Sequence, residues 1–321
     1  MKDKTLSEKI RRKKRSSFKE YFKQNYLLYV LLLPLIVYLL IFSYYPMLGI
    51  QIAFKDWRIR GGIWGSPWAT TDGALDLLKH FKLLFGDSLF LGKFINTLRI
   101  STLKLLCGFC VPILLTVLLN EMLSTTCKRI CQTVMYLPYF ISWVIISGIL
   151  FSITESGTAF QTFLKAIFGK EIYFFSDDDL FIVMVVLSDI WKNAGWGTII
   201  YFAAISGIAP ELYEAATMDG AGRLKRIWYI TLPGLMPAIT INLIFSVSGL
   251  VYGGFDQIFN MYNTTVYGKG DILETYLYRI GIAGGSYDVA TALGLFNSLL
   301  SLVLILAANF TVKKIGGEGI W

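Results

Sequence analysis

Histidine is almost missing from this chain: His80 is the only one in 321 residues. That excludes catalysis built on a histidine pair and any histidine-rich metal site. Charge is scarce as well, since Asp, Glu, Lys and Arg make up 16% of the residues, where soluble domains carry about a quarter. A phosphate-binding loop of the GxxxxGK-(S/T) type is absent. The stretch "YGKGD" at 267–271 has the Gly-Lys pair but neither the earlier glycine nor a following Ser or Thr. The chain therefore cannot bind ATP in the usual way, and energy from ATP must come through a partner. Cysteine is limited to Cys107, Cys110, Cys127 and Cys131, spaced like zinc ligands. The two pairs are expected at different depths, roughly 15 Å or more apart along helices, so they read as small apolar residues and no metal site is assigned.

What is present is hydrophobicity, at 55% of the residues, together with a net charge of +8. The charge is not spread: ten of the thirty basic residues lie in the first 23 positions, from Lys2 to Lys23. A basic run before an apolar span reads as a cytosolic flank against anionic lipid, not as a nucleic-acid surface. Six apolar segments, near 26–46, 96–120, 130–153, 181–205, 233–256 and 287–312, approach or exceed the roughly 20 residues that cross a bilayer. The first is too long for a signal-peptide core and no small-x-small site follows it, so it is expected to stay as an anchor. With the N-terminus inside, Lys128 and Arg129, then Arg223, Lys225 and Arg226, then Lys313 and Lys314 all fall on the cytosolic side. The residues thus describe an all-α integral membrane protein with six transmembrane helices, both termini and the 206–232 loop being cytosolic. The divisions are a basic tail over 1–25, a membrane domain over 26–315 with an external element at 47–95, and a short tail over 316–321.

One segment breaks the apolar pattern: "ELYEAATMDGAGRLKRIWYITLP", residues 211–233. Pro210 suits a first helical turn, Glu211 and Glu214 suit its positive dipole end, and Gly220 suits a left-handed cap. A second helix over 221–229 would follow before Pro233 opens the next span. The result is a compact cytosolic helical hairpin, either a connector lying on the bundle base or a docking element for another protein. DNA binding is set aside, because loops held between spans rarely reach a major groove.

Glu214-Ala215-Ala216, three residues, Gly220, nine residues, then Ile230-x-Leu232-Pro233 matches the EAA signature. The chain resembles the permeases of binding-protein-dependent ABC importers, in the oligosaccharide and polysaccharide branch of the carbohydrate-uptake group. "YPMLGIQIAFKDW", "GSPW", "NTLRIS", "YLPYFISWVI" and "IWKNAGWGTIIYFAAISGI" extend the resemblance over nearly the whole chain. It implies a type I ABC importer permease fold in a bacterial cell membrane and a coupling-helix hairpin. That hairpin would dock an ATPase through Glu214, Ala215, Ala216, Asp219, Gly220 and Arg223. The implied partners are a second homologous permease, in a heterodimer, two ATPase subunits that hold ATP and Mg, and an extracytoplasmic solute-binding protein. The cargo would be a glycan, and this chain would hold no cofactor and perform no catalysis.

A sugar pathway needs aromatic faces and polar groups for hydroxyls. Tyr252 and Asp256, read as one turn apart, lead the candidates, with Ser248, Gln257, Tyr139 and Asn297; Ser246, Tyr136, Trp143 and Trp196 follow. Asp189 and Lys192, three apart, read as a pair on one helix face. An ion-coupled carrier would use such intramembrane charges, and a membrane scaffold would use the hairpin alone; both stay open as alternatives. The segment "YNTTVYGKGD" reads as a mobile contact loop.

Overall fold

The structure, a computed structural model, describes residues 18–317, 319 and 320. Most of the basic tail, Lys2 to Arg15, and positions 318 and 321 of the C-terminal tail lie outside the described residues.

Helix α1, Tyr26–Phe54, is apolar on all sides and exposed from residue 26 to residue 48. It widens into a π turn at Leu40–Tyr44, just before Pro46, and tightens to a 3-10 helix over Leu48–Phe54. Only that last portion reaches the bundle, where Ala53 is buried. A small external element follows: a hairpin of β1, Thr70–Thr71, and β2, Ala74–Leu75, then α2, Lys79–Gly86. Asp72 and Gly73 both take positive φ in the turn, as a two-residue type I′ connection requires. Asp87 then accepts the Leu89 N–H at 2.9 Å and starts α3, Ser88–Asn120, so this helix begins within the 47–95 stretch.

Ser124 caps α4, Thr125–Phe140, which is followed by α5, Trp143–Thr154. These two make up the segment expected as one span over 130–153, yet they meet at 97°. The break has local causes: Pro138 sits in a 3-10 turn, Ile141 is extended, and Ser142 caps the new helix at the Ile145 N–H. Next come α6, Ala159–Phe168, and α7, Asp178–Ser206, which Asp177 caps at two N–H groups. At 29 residues α7 is about 43 Å long at 1.5 Å per residue. Its Gly195 lies where a Cβ would stand 1.9 Å from the Met135 carbonyl oxygen, so α4 and α7 cross backbone against side-chain-free backbone.

After α8, Pro210–Met218, a single helix α9 runs over Arg223–Val251. This corrects two expectations. No separate second arm spans 221–229, since Arg223–Arg226, a π turn at Ile227–Thr231 and Leu232–Ser248 are continuous, and Pro233 lies inside that helix directly after the π turn, a local widening of the kind that accommodates an interior proline. Nor does the span reach 256: Tyr252 is extended and Gly254 has φ +94°, so the chain breaks before α10, Phe255–Met261. Then come α11, Leu273–Leu277, and α12, Tyr287–Lys314.

Four of these helices, α1, α3, α9 and α12, are long and apolar enough to cross a membrane, or five crossings if α4 with α5 counts as one. The expectation was six. The remaining segment, 181–205, is helical within α7 but is interrupted midway by the polar Asp189, Lys192 and Asn193. Helix α7 is central nonetheless. Phe181, Ile182 and Val185 pack with Ile100 of α3, Ile258 of α10 and Ile272, while Tyr201 packs with Val117 and Leu235 near the other end. A third cluster joins Leu84, Phe90, Leu273 and Leu293 of α2, α3, α11 and α12.

Candidate functional site

Between α3, α7 and α9 lies a cavity of ≈ 340 Å³. Its polar lining is Ser101 and Lys104 from α3, Asp189 and Asn193 from α7, and Asn242, Ser246 and Tyr252 on or just past α9. Lys104 organises one end of it. Its Nζ donates to the Gly253 carbonyl at 2.8 Å and to Gln257 Oε1, and stands 3.6 Å from the Asp189 carboxylate. Asp189 also accepts from Asn193 Nδ2 at 3.1 Å, and Ser101 Oγ donates to the Tyr252 carbonyl at 2.8 Å. The Gly254 N–H donates to Glu274 at 3.0 Å. The polar backbone exposed where α9 breaks is thus satisfied by side chains from α3 and from α11.

Lys192 does not pair with Asp189, contrary to the sequence reading. Its Nζ donates to the carbonyls of Pro138, Tyr139 (2.8 Å) and Ile141, and lies 5.4 Å from the Trp143 ring centre. The Pro138 carbonyl also accepts the Ile141 N–H at 3.2 Å, but the 97° bend leaves those of Tyr139 and Ile141 without helical partners, and in an apolar setting they need a donor. Lys192 supplies it, which leaves Asp189 to Lys104.

The expected pathway residues scatter. Tyr252 lines the cavity, but Asp256 is exposed beyond the break in the first turn of α10, so the two are not one helical turn apart. Gln257 is buried, donating to the Val185 carbonyl at 2.7 Å and to Ser188 Oγ at 2.9 Å, and so clamps α10 onto α7. Ser248 Oγ donates back to the Phe245 carbonyl at 2.7 Å. Tyr139 stacks on Trp196 with centroids 4.3 Å apart, and Asn297 is buried with an unpartnered Oδ1. Ser101, Asn193 and Asn242 were missed. Each is a polar residue in an apolar run, and that was the available signal.

The Lys104 geometry carries a test. Lys104→Met removes the cation from Asp189 and the donor from Gly253 and Gln257, and is expected to cost about 1–3 kcal/mol in stability, read as a fall in apparent Tm in detergent. Asp189→Asn in the Lys104→Met background is expected to recover part of the loss. Strictly additive losses would show that the two residues are not a functional pair.

At the other end of α7, Pro210 starts α8 and Gly220 ends it, with φ +75°. The Ala221 N–H reaches back to the Ala216 carbonyl at 2.8 Å and that of Gly220 to the Thr217 carbonyl at 3.0 Å, a left-handed helix end of the kind expected. Tyr213 Oη lies 3.0 Å from Thr231 Oγ1 and Arg226 donates to Thr217 Oγ1 at 3.1 Å, tying α8 to the start of α9. Glu214, Ala215, Asp219, Gly220 and Arg223 are exposed and Ala216 is half-buried. Met218 and Leu224 stand almost wholly clear of the protein, at 88% and 81% exposure.

The described residues hold no group of three or more metal-binding side chains. A family model, binding-protein-dependent transport system inner membrane component, matches residues 108–315. Protein LplB of Bacillus subtilis (strain 168) is 40% identical over 300 residues, 93% of this chain and 92% of that protein. The polygalacturonan/rhamnogalacturonan transport system permease protein YteP, from the same organism, is also 40% identical, over 93% and 91%. Among solved structures, a bacterial ABC transporter that imports the acidic polysaccharide alginate contains a chain that matches with TM-score 0.82 and 39% identity, over 92% of this chain and 98% of that one. A bacterial alginate ABC transporter in complex with a pentasaccharide-bound periplasmic protein matches with TM-score 0.83 and 38% identity, over 95% and 100%. By family model, sequence and architecture together, the chain belongs to the inner membrane components of binding-protein-dependent transport systems.

Proposed function

We propose that this chain is one transmembrane permease subunit of an ATP-driven importer of oligosaccharides or polysaccharide fragments. The observation that carries the reading is the match of 92% or more of the chain to the alginate importer permease, joined to a cavity lined by hydroxyl, amide and one charged pair. The relatives' names point to polymer fragments as cargo, and amide and hydroxyl groups are what sugar hydroxyls pair with.

In this reading α7 is the sixth span, its charges facing Lys104 and the α4–α5 bend instead of lipid. Both termini and α8 face the cytosol, where α8 is the coupling helix and Glu214, Ala215, Ala216, Asp219, Gly220 and Arg223 meet a separate ATPase that holds ATP and Mg. Closure of two ATPase subunits would push α8, and through the Tyr213 and Arg226 contacts move α9 with it. Since α3, α7 and α9 form the cavity walls, that movement changes the cavity's access from one side to the other. A second, homologous permease would complete the pathway and cover part of the exposed α1. An extracytoplasmic binding protein would deliver the glycan at the opposite end from α8. The chain itself makes and breaks no bonds.

The test is to purify the tagged chain from native membranes in mild detergent and identify what accompanies it by mass spectrometry. An ATPase, a second permease and a binding protein are expected. Recovery of the chain alone, under conditions that hold a known ABC importer together, would overturn the reading.

A further inference from the structure

Through Ile167, helix α6 has three distinct faces; Phe168, its last residue, falls at the angle of the inner face but is 60% exposed. Gln161 and Leu164 turn to the protein, at 1% and 8% exposure. Gln161 fixes that face: its Nε2 donates to the carbonyls of Thr154 at 2.7 Å and Ile172 at 2.6 Å, and its Oε1 accepts the Ile172 N–H at 3.2 Å. At 100° per residue, Phe160, Phe163 and Ile167 form an arc roughly 100° round from this face, and they stand 37%, 61% and 58% exposed. Thr162 and Lys165 lie roughly 160° from the apolar arc, both exposed. Thr158 caps the helix and Gly169 ends it at φ +72°, so its length and rotation are set.

A helix in water on every free side would not show two aromatic rings and an isoleucine along one line. Its place in the chain says what covers them. Thr154 ends α5 and Ala159 starts α6, so the intervening link of four residues holds α6 within about 14 Å of the end of α5. The exposed apolar surface of α5, including Ile149 and Ile153, leads up to it. Asp178 then opens α7, so α6 sits at the end of the bundle opposite α8.

We propose that α6 is an interfacial helix, with the Phe160, Phe163 and Ile167 arc seated in the headgroup and acyl boundary of the leaflet opposite α8, and Thr162 and Lys165 in water. It would hold the joined ends of α5 and α7 at a fixed depth while other helices move.

The test uses the full chain in lipid nanodiscs, with its four cysteines replaced and a nitroxide attached at Phe163→Cys, Ile167→Cys or Thr162→Cys. Oxygen, which concentrates in lipid, is compared with a water-soluble nickel chelate as relaxing agent. Labels at 163 and 167 are expected to favour oxygen several-fold over the label at 162. Equal exposure to the nickel chelate at all three sites would overturn the proposal. So would shielding of 163 from both agents, the sign of a protein occupant. The readout needs neither transport nor an ATPase, so it stands or falls separately from the importer reading.

Discussion

Gly220→Asp is expected to leave the chain inserted in the membrane and to reduce glycan uptake by at least about tenfold, the loss produced by 1.4 kcal/mol or more of weakened docking. Gly220 holds φ +75°, and a Cβ built on it meets no atom within 4 Å. A side chain there costs about 1–2 kcal/mol in backbone strain, and Asp is among the residues that tolerate this conformation best. It does not clash within the chain. What it does is project a carboxylate from the exposed corner that the proposed ATPase cleft must close around. Gly220→Ala carries comparable backbone strain with a smaller, uncharged group, so it is expected to retain more uptake. Ala216→Asp, on the same surface but half-buried, is expected to behave like Gly220→Asp. The measurement is uptake of labelled oligosaccharide in vesicles, normalised to inserted protein. Full uptake by inserted Gly220→Asp would remove α8 as the docking element.

The start of α8 and its glycine stop were legible because their causes are local: a proline with a fixed φ, the acidic Glu211 in the first turn, and a glycine able to take positive φ. Distant partnerships were not. Asp189 and Lys192 share a helix, and spacing alone joined them, but the partner of Asp189 comes from α3, 85 positions earlier, and Lys192 answers carbonyls freed by a bend. That bend was itself illegible, since "YFISWVI" is apolar enough to pass for continuous helix. The same blindness extended the span expected over 233–256 through "GLVYGGFD". Apolar composition reports the solvent around a segment, whereas the break at Tyr252–Gly254 depends on Ser101, Lys104 and Glu274 being there to satisfy the opened backbone.

The loop expected to be mobile is the other case, and it carries the second large effect. Within "YNTTVYGKGD" only Thr264, Thr265 and Gly268 are exposed. Asn96 Nδ2 donates to the carbonyls of Gly268 at 2.9 Å and Asp271 at 3.0 Å, and Lys93 donates to that of Tyr267 at 3.1 Å. At the centre, the fully buried Asp271 carboxylate receives both arms of Arg279, one at 2.8 Å, Lys93 at 2.9 Å and Thr275 Oγ1 at 2.7 Å. Burial alone would raise its pKa, but the bonds from Arg279, Thr275 and Lys93 outweigh it and hold the pKa below the usual 3.8. A lowered carboxylate pKa stabilises the fold fully at pH values above the unfolded 3.8, and the contribution is lost as pH falls through the lower, folded value. The network is therefore intact at any physiological pH. Asp271→Asn leaves Lys93 and the partly exposed Arg279 facing a buried neutral amide, and is expected to cost about 3 kcal/mol, the low end for breaking a buried pair. The cluster ties α3 to the 262–279 stretch, which is otherwise held by Asn263 on the Phe175 carbonyl and Lys269 on Asp178 and Asp179, so the loss should appear first as protease cleavage near Asp271, alongside a fall in apparent Tm. Any partner that meets this face then meets a preformed surface, so Thr265→Ala, which keeps every anchor, should leave cleavage resistance unchanged. An Asp271→Asn chain as resistant and as heat-stable as the parent would show that the loop is held without the ion cluster, by packing of Val266 and Ile272 and by the Asn263 and Lys269 contacts.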